Sequence, residues 1–151
     1  YQPQLIDATF ALLLSASGDP LVIPALNRDG DILSDLVLPL FGSIAGSESL
    51  IVGFGDDYIP TVVLAEAAHG TAPALRGKNV ANPMAMILAA AALLSYLPDG
   101  EPASRAIRES CLESVADGIR TADLAGHSGT TEFTDEVIRR VRQKLEIWSA
   151  L

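Results

Sequence analysis

Two aspartates spaced one helical turn apart have the residue types and spacing needed for metal chemistry. Asp31 and Asp35 lie in the segment GDILSD, directly after Gly30. If residues 31–41 form a helix, both carboxylates point to the same side, where like charges repel by roughly 0.2–0.5 kcal/mol. A hard divalent cation held by oxygen ligands would offset that repulsion. An exposed acidic edge on a helix that packs its apolar face elsewhere explains the same residues without a ligand, and the spacing alone leaves both interpretations open.

A second group of polar residues follows the apolar run 62–64, which is typical of a strand. The loop 69–83 begins with the motif HGTAP at His69 and continues through Gly77 to Asn82 and Pro83. Two prolines and two glycines predict irregular backbone, with Asn82 as the cap of the next helix and Pro83 as its first residue. A single histidine after a strand is more often a hydrogen-bonded structural residue than a ligand contact, so its role also stays open.

The elements that position these residues follow from apolar periodicity. The pattern predicts strands at 21–23 and 62–64, an exposed acidic loop at 53–60, and helices at 5–14, 31–41, 84–96, 103–119 and 131–149. Asp29 and Gly30 are expected to break the chain between the first strand and its helix. That order would place Asp31 at the start of a helix, beyond the carboxyl end of a strand, where open α/β sheets usually bind ligands.

Composition excludes several classes of function. The chain of 151 residues is 49% hydrophobic with a formal net charge of −9, which favours a buried core and argues against nucleic-acid or anionic-membrane partners. Cys111 is the single cysteine and is expected to be a structural thiol. The apolar run 84–97 is shorter than the ~20 residues that span a bilayer. With no basic signal segment at its start, the chain is expected in the cytoplasm, or in the mitochondrial matrix of a eukaryote.

These motifs together resemble the second half of the decarboxylating β-hydroxyacid dehydrogenases, the isocitrate and isopropylmalate dehydrogenase family. The segments 120–126 and 129–137 match the closing part of the same family. The resemblance implies an α/β fold in which Asp31 and Asp35 bind Mg²⁺ or Mn²⁺, and the metal in turn chelates the substrate hydroxyl and its adjacent carboxylate. Asp7 occupies the place of a third metal ligand, which the family takes from the partner subunit. Such a metal acts as a Lewis acid on the developing ketone and enolate.

The resemblance also implies a cofactor site. In the family, the loop that matches His69, Gly70, Thr71 and Ala72 wraps the adenosine half of NAD or NADP, and the asparagine that matches Asn82 contacts adenine. The residue after HGTAP usually selects the cofactor: an acid accepts the ribose hydroxyls of NAD, and a lysine supports the phosphate of NADP. Here that residue is Ala74, so the choice stays open, with Arg76 close enough in sequence to serve a 2′-phosphate.

The implied organisation divides the chain in two. Residues 1–43 correspond to the end of the small dimer-forming domain, and residues 44–151 to the returning half of the large nucleotide-binding domain. The family's catalytic tyrosine and lysine and its substrate-binding arginine cluster have no counterpart here, so the chain is not expected to be active alone.

Two functions follow from that organisation. In the first, the chain would be the carboxyl-terminal portion of a metal-dependent, NAD(P)-linked oxidative decarboxylase of a malate-type acid such as isocitrate or 3-isopropylmalate. It would then work with the missing amino-terminal half or a complete paralogue, as a homo- or hetero-oligomer. Alternatively, it is a non-catalytic truncated relative that acts as a partner-binding or regulatory subunit. Substrate identity depends on residues absent from this chain.

Overall fold

The structure is a computed structural model that describes residues 2–15, 20–40 and 42–149, and it confirms a mixed α/β fold. The chain divides into two compact units, Tyr1–Gly42 and Ser43–Leu151. The helices are α1 (Ile6–Ser15), α2 (Asn27–Leu40), α3 (Met84–Leu94), α4 (Glu101–Ala116) and α5 (Thr130–Ser149), the strands are β1 (Glu48–Phe54) and β2 (Pro60–Ala67), and short 3₁₀ turns lie at Ile44–Gly46, Pro73–Leu75 and Ala122–Leu124.

In the first unit, the prediction around Gly30 is wrong. Residues 21–23 form no strand, and Val22 is 87% exposed. Helix α2 begins at Asn27 and continues through Gly30, whose amide donates to the carbonyl of Leu26 at 2.8 Å. A glycine inside a helix costs only about 1 kcal/mol, so it does not end one that is otherwise favourable. Asp31 therefore lies in the second turn of α2, and no strand precedes that helix within residues 20–40.

The second unit contains an antiparallel hairpin of β1 and β2, against which α3 packs. Val52 and Val63 pair across the hairpin and are half-buried, whereas the pair Ile51 and Leu64 faces outward and is exposed. The predicted loop 53–60 is too long, because β1 continues to Phe54 and β2 begins at Pro60. A tight turn over residues 55–59 is enough to reverse the chain, closed by the amide of Gly55 donating to Ile59 O at 2.9 Å.

The core of this unit lies among α3, α4 and α5. Helices α3 and α4 pack against each other, and each buries small residues completely: Ala85 and Ala92 on α3, and Ser110 and Ser114 on α4. Other buried apolar residues form one cluster, which comprises Ala45, Met84, Leu88, Cys111, Phe133 and Val137. Burial raises the pKa of the Cys111 thiol to about 12, so the thiol stays protonated, as its predicted structural role requires.

The predicted helices of this unit are confirmed with shifted ends. Helix α4 begins at Glu101 rather than at residue 103, because Pro102 lies in the first turn, where a proline costs no helical hydrogen bond. Helix α3 ends at Leu94, and the chain turns over residues 95–100, where Asp99 has a φ of 58°. Among the described residues, no helix is both long and apolar enough to cross a membrane.

Charged side chains join α5 to α4. Arg140 of α5 contacts Asp117 at 2.8 Å, and Lys144 contacts Glu109 at 3.1 Å and Glu113 at 2.7 Å. Within α5, hydrogen bonds from Arg139 and Arg140 lower the pKa of Glu136 to about 2. The packing of these two helices therefore combines the apolar cluster with ion pairs along its edge.

Candidate functional site

A groove of about 1290 Å³ opens in the second unit between the loop that follows β2 and the segment that joins α4 to α5. Its volume exceeds the ~300–1,000 Å³ typical of pockets for small organic ligands. The five residues predicted for the cofactor all line this groove; they are His69, Gly70, Thr71, Ala72 and Asn82. The structure thus brings together residues that lie up to 13 positions apart in sequence.

The first wall of the groove is irregular backbone, as predicted. Ala72 has a φ of 40° and is followed by the 3₁₀ turn Pro73–Leu75, and Gly77 has a φ of 74°. The His69 side chain is exposed, and its Nδ1 lies 2.9 Å from Gly70 O. Because a carbonyl only accepts, Nδ1 is the donor of this hydrogen bond.

Asp123 joins three separate segments at one side of the groove. Its Oδ2 accepts from Ser43 Oγ at 2.7 Å and from Asn82 Nδ2 at 3.0 Å, while its Oδ1 accepts from Thr121 Oγ1 at 2.5 Å. Burial acts to raise the pKa of this carboxyl, but the three donors together outweigh it and lower the pKa below its usual value. Asp123 is therefore held as a carboxylate at neutral pH.

Sequence reasoning missed Asp123 as a site residue, although the segment 120–126 belongs to the family resemblance. The hydrogen bonds that define its place link residues 41 and 80 positions apart. The sequence itself offered only a weak signal, an aspartate between two apolar residues, Ala122 and Leu124. Spacing along the chain does not reveal contacts of that range.

Asn79, in the loop that follows β2, accepts hydrogen bonds from the start of α5. Its backbone is left-handed, with a φ of 56°, and its Oδ1 accepts from both N and Oγ1 of Thr131, at 3.0 and 2.9 Å. Its carbonyl accepts from Thr130 N at 3.0 Å. A Cβ at Gly129 would lie 2.9 Å from that carbonyl oxygen, so this close approach requires glycine. The second wall of the groove is thus fixed to the first by backbone and side-chain hydrogen bonds.

Ala74 and Arg76 differ in whether they line the groove. Ala74 is exposed and is not among the lining residues, whereas Arg76 lines the groove. Among the described residues, Arg76 forms no ion pair, so its charge is available to an anionic group in the groove.

The predicted metal ligands lie in the first unit. Asp31 and Asp35 are exposed on one side of α2, and Asp7 is exposed in the first turn of α1, where its Oδ1 accepts from Ala8 N at 2.9 Å. In the part of the chain that the structure describes, no three His, Cys, Asp or Glu side chains come close enough to hold a metal ion. Asp31 and Asp35 offer the oxygen donors that Mg²⁺ and Mn²⁺ prefer, but they need further ligands.

Comparisons with known proteins define the family. The family model described as isocitrate/isopropylmalate dehydrogenase matches residues 1–137. The chain therefore belongs to the isocitrate/isopropylmalate dehydrogenase family, a family of decarboxylating dehydrogenases. A β-decarboxylating dehydrogenase from Thermococcus kodakarensis has a similar structure, with a TM-score of 0.78 and 33% identity, covering 97% of this chain and 41% of that protein.

Relatives at the sequence level include proteins named as catalytic and as regulatory subunits. The mitochondrial NAD isocitrate dehydrogenase catalytic subunit 5 of Arabidopsis thaliana is 40% identical over 140 residues, covering 91% of this chain and 35% of that protein. A mitochondrial NAD isocitrate dehydrogenase regulatory subunit of Dictyostelium discoideum is 38% identical over 128 residues, covering 84% of this chain and 34% of that protein. The chain thus spans about a third of the length of these relatives, which is consistent with a carboxyl-terminal portion of the family fold.

Proposed function

We propose that this chain supplies the adenosine side of the cofactor site and the acidic metal ligands of an oxidative decarboxylase. Its substrate would be a malate-type 2-hydroxy acid such as isocitrate or 3-isopropylmalate. One observation carries the proposal: the five residues expected to hold the cofactor line a single groove large enough for a nucleotide. Family membership supports the reaction class.

The groove offers suitable groups for the adenosine half of NAD or NADP. Asn82 and His69 supply polar atoms, and an added Cβ at Gly70 would meet nothing within 4 Å, which leaves room for a ribose or phosphate beside the backbone. Thr71 and Ala72 complete this wall. NAD(P), when bound, would supply the hydride acceptor, and the residues of this chain would bind and orient its adenosine. Arg76 lines the groove, and a pairing of its guanidinium with a 2′-phosphate would favour NADP.

The carboxylates of α2 would hold the divalent cation. Asp31 and Asp35 would present two oxygen ligands on one face, and Asp7 of a second copy, or the corresponding acid of a paralogue, would complete the set. Mg²⁺ or Mn²⁺, when bound, supplies Lewis acidity toward the substrate oxygens. The contribution of this chain is to fix two of the ligands on a helix that leaves them exposed.

The chain is proposed to work only with a partner. General acid–base groups and a carboxylate clamp are needed for this reaction, and the residues that resemble the family include neither its tyrosine and lysine nor its arginine cluster. The partner is the complementary half of the fold or a complete paralogue. The alternative, a regulatory subunit, is favoured by Ala74 at the position expected to select the cofactor and by the regulatory relative.

The cofactor assignment is tested by calorimetric titration of NAD and NADP into the 151-residue chain. We expect NADP to bind more tightly than NAD, and Arg76→Ala to remove that difference because it deletes the cation facing the phosphate. Asn82→Ala should weaken both cofactors by about 2- to 10-fold, the range for one lost hydrogen bond.

Lys78→Ala is the matched control for that titration. Lys78 lies on the same loop and carries the same charge as Arg76, but it does not line the groove. It should leave both affinities unchanged. Equal cofactor affinity in wild type and Asn82→Ala would contradict the assignment. If Lys78→Ala removed the preference for NADP as fully as Arg76→Ala, the effect of Arg76 would be one of general electrostatics and not of a specific contact.

A further inference from the structure

We propose that Asp123 is a positioning residue: it fixes the Asn82 amide so that one N–H is presented into the groove to N1 of the bound adenine. The inference rests on the proposed cofactor site and specifies how that site recognises the base. Asp123 and Asn82 both line the groove, and they are joined by the hydrogen bond between Oδ2 and Nδ2 at 3.0 Å.

The orientation of the Asn82 amide follows from its two partners. The Asp123 carboxylate can only accept, so Nδ2 of Asn82 must face it. The backbone N–H of Met84 can only donate, so Oδ1 must face that group, at 3.0 Å. An asparagine amide carries two N–H donors, and within residues 2–15, 20–40 and 42–149 only one of them has a hydrogen-bond partner. Rotation of the amide by half a turn would set donor against donor and acceptor against acceptor.

Asp123 is itself held in place, which makes it suitable as an anchor. Ser43 and Thr121 donate to its two oxygens and hold the carboxylate against the loop that carries Asn82. Thr121 is fully buried, whereas Asp123 is exposed at the groove. The Asp123 carboxylate therefore links the Asn82 side chain to the buried Thr121 by hydrogen bonds, which restricts the motion of the amide.

The preference of the chain for adenine over hypoxanthine reports on the orientation of the Asn82 amide. N1 of adenine accepts a hydrogen bond, whereas N1 of hypoxanthine carries a proton and donates. The wild-type chain should bind NAD about 2- to 10-fold more tightly than nicotinamide hypoxanthine dinucleotide. Asp123→Ala removes one of the two partners that orient the amide and leaves only the Met84 N–H, so this ratio should fall toward one. Asp123→Asn retains an oxygen that can accept from Nδ2, and it should preserve most of the ratio.

A double-mutant cycle separates this role from a general structural one. Asn82→Ala should also bring the ratio to one, and adding Asp123→Ala to it should change the ratio no further. Asp135→Ala removes an exposed carboxylate that does not line the groove, and it should leave the ratio unchanged. A ratio that stays at the wild-type value in Asp123→Ala, or that falls equally in Asp135→Ala, would overturn the proposal.

An NMR measurement keeps the inference independent of cofactor binding. The side-chain amide resonances of Asn82 should shift and broaden in Asp123→Ala but not in Asp135→Ala. Identical resonances in wild type and Asp123→Ala would overturn the positioning role. If neither dinucleotide binds to any variant, the proposed cofactor site fails together with the recognition of N1, while the amide resonances still decide whether Asp123 orients Asn82.

Discussion

At the residue level, the buried thiol of Cys111 has a packing role, whereas the exposed carboxylates of α2 are accessible to a ligand. Cys111 is fully buried and its pKa is raised, which suits a packing role. Asp31 and Asp35 remain exposed on one side of α2, where their charges are accessible to a cation and to ligands from another chain. The proposed functions of this molecule therefore rest on side chains that its own core does not use.

The metal proposal predicts that Asp31→Asn weakens Mn²⁺ binding by about tenfold or more, because a charged oxygen donor is lost. Calorimetric titration of Mn²⁺ into the chain mixed with its complementing half would measure this. Asp29→Asn is the control: it makes the same chemical change on the same helix, but Asp29 pairs with Arg28 at 3.2 Å and lies two positions from Asp31, off its face. Equal Mn²⁺ affinity in wild type and Asp31→Asn would contradict the assignment.

At the scale of elements, sequence patterns predict those whose causes are local. Apolar runs bounded by prolines and glycines locate α3, α4 and α5 to within a few residues. The strand prediction for the run 21–23 fails because β-propensity depends on a neighbouring strand. The interpretation of Gly30 as a break fails because the helix on both sides outweighs its cost. The Asp123 hydrogen bonds bridge distant segments, so only the folded chain reveals them.

The ion pairs along α4 and α5 predict a pH dependence. Hydrogen bonds from Arg139 and Arg140 hold the pKa of Glu136 at about 2, below its ordinary value of 4.5. Its contribution to stability is therefore complete above about pH 4.5 and is lost as the pH falls toward 2. Glu136→Gln should lower the free energy of unfolding at neutral pH by about 1 kcal/mol and flatten its fall in that acid range.

Urea unfolding followed by the fluorescence of Trp148, the single tryptophan, would measure this effect. Glu132→Gln is the control, because Glu132 lies on the same helix and forms no ion pair among the described residues. It should reproduce the wild-type acid profile. A Glu136→Gln profile as steep as that of wild type would refute the role of this carboxylate.

At the scale of the whole molecule, each unit carries exposed apolar surface. In the first unit, Leu5 and Leu14 of the α1 region are 74% and 71% exposed, and Ile32 of α2 is 50% exposed. In the second unit, the outward side of the hairpin exposes Ile51 and Val62. Large apolar patches on a protein surface are typical of interaction sites. Both units therefore have surfaces suited to another chain.

We predict that the isolated chain associates at micromolar concentration. Leu14→Glu should shift sedimentation velocity toward the monomer, because it places a charge within the apolar surface of α1. Gln4→Glu adds the same charge at an exposed position just before that helix and should leave the association unchanged. A wild-type chain that sediments as a monomer at all concentrations would count against a metal site shared between subunits.

Complementation of activity tests whether this chain is one part of a metal-dependent oxidative decarboxylase. Formation of NADH or NADPH from isocitrate and from 3-isopropylmalate with Mg²⁺ is measured for the chain alone, for an amino-terminal half from the same source, and for their mixture. We expect no turnover by the chain alone, recovery in the mixture with one of the two acids, and loss of that recovery in Asp35→Ala. Turnover by the chain alone, or none in a mixture shown to form a complex, would contradict the account, and the second result would favour a regulatory subunit.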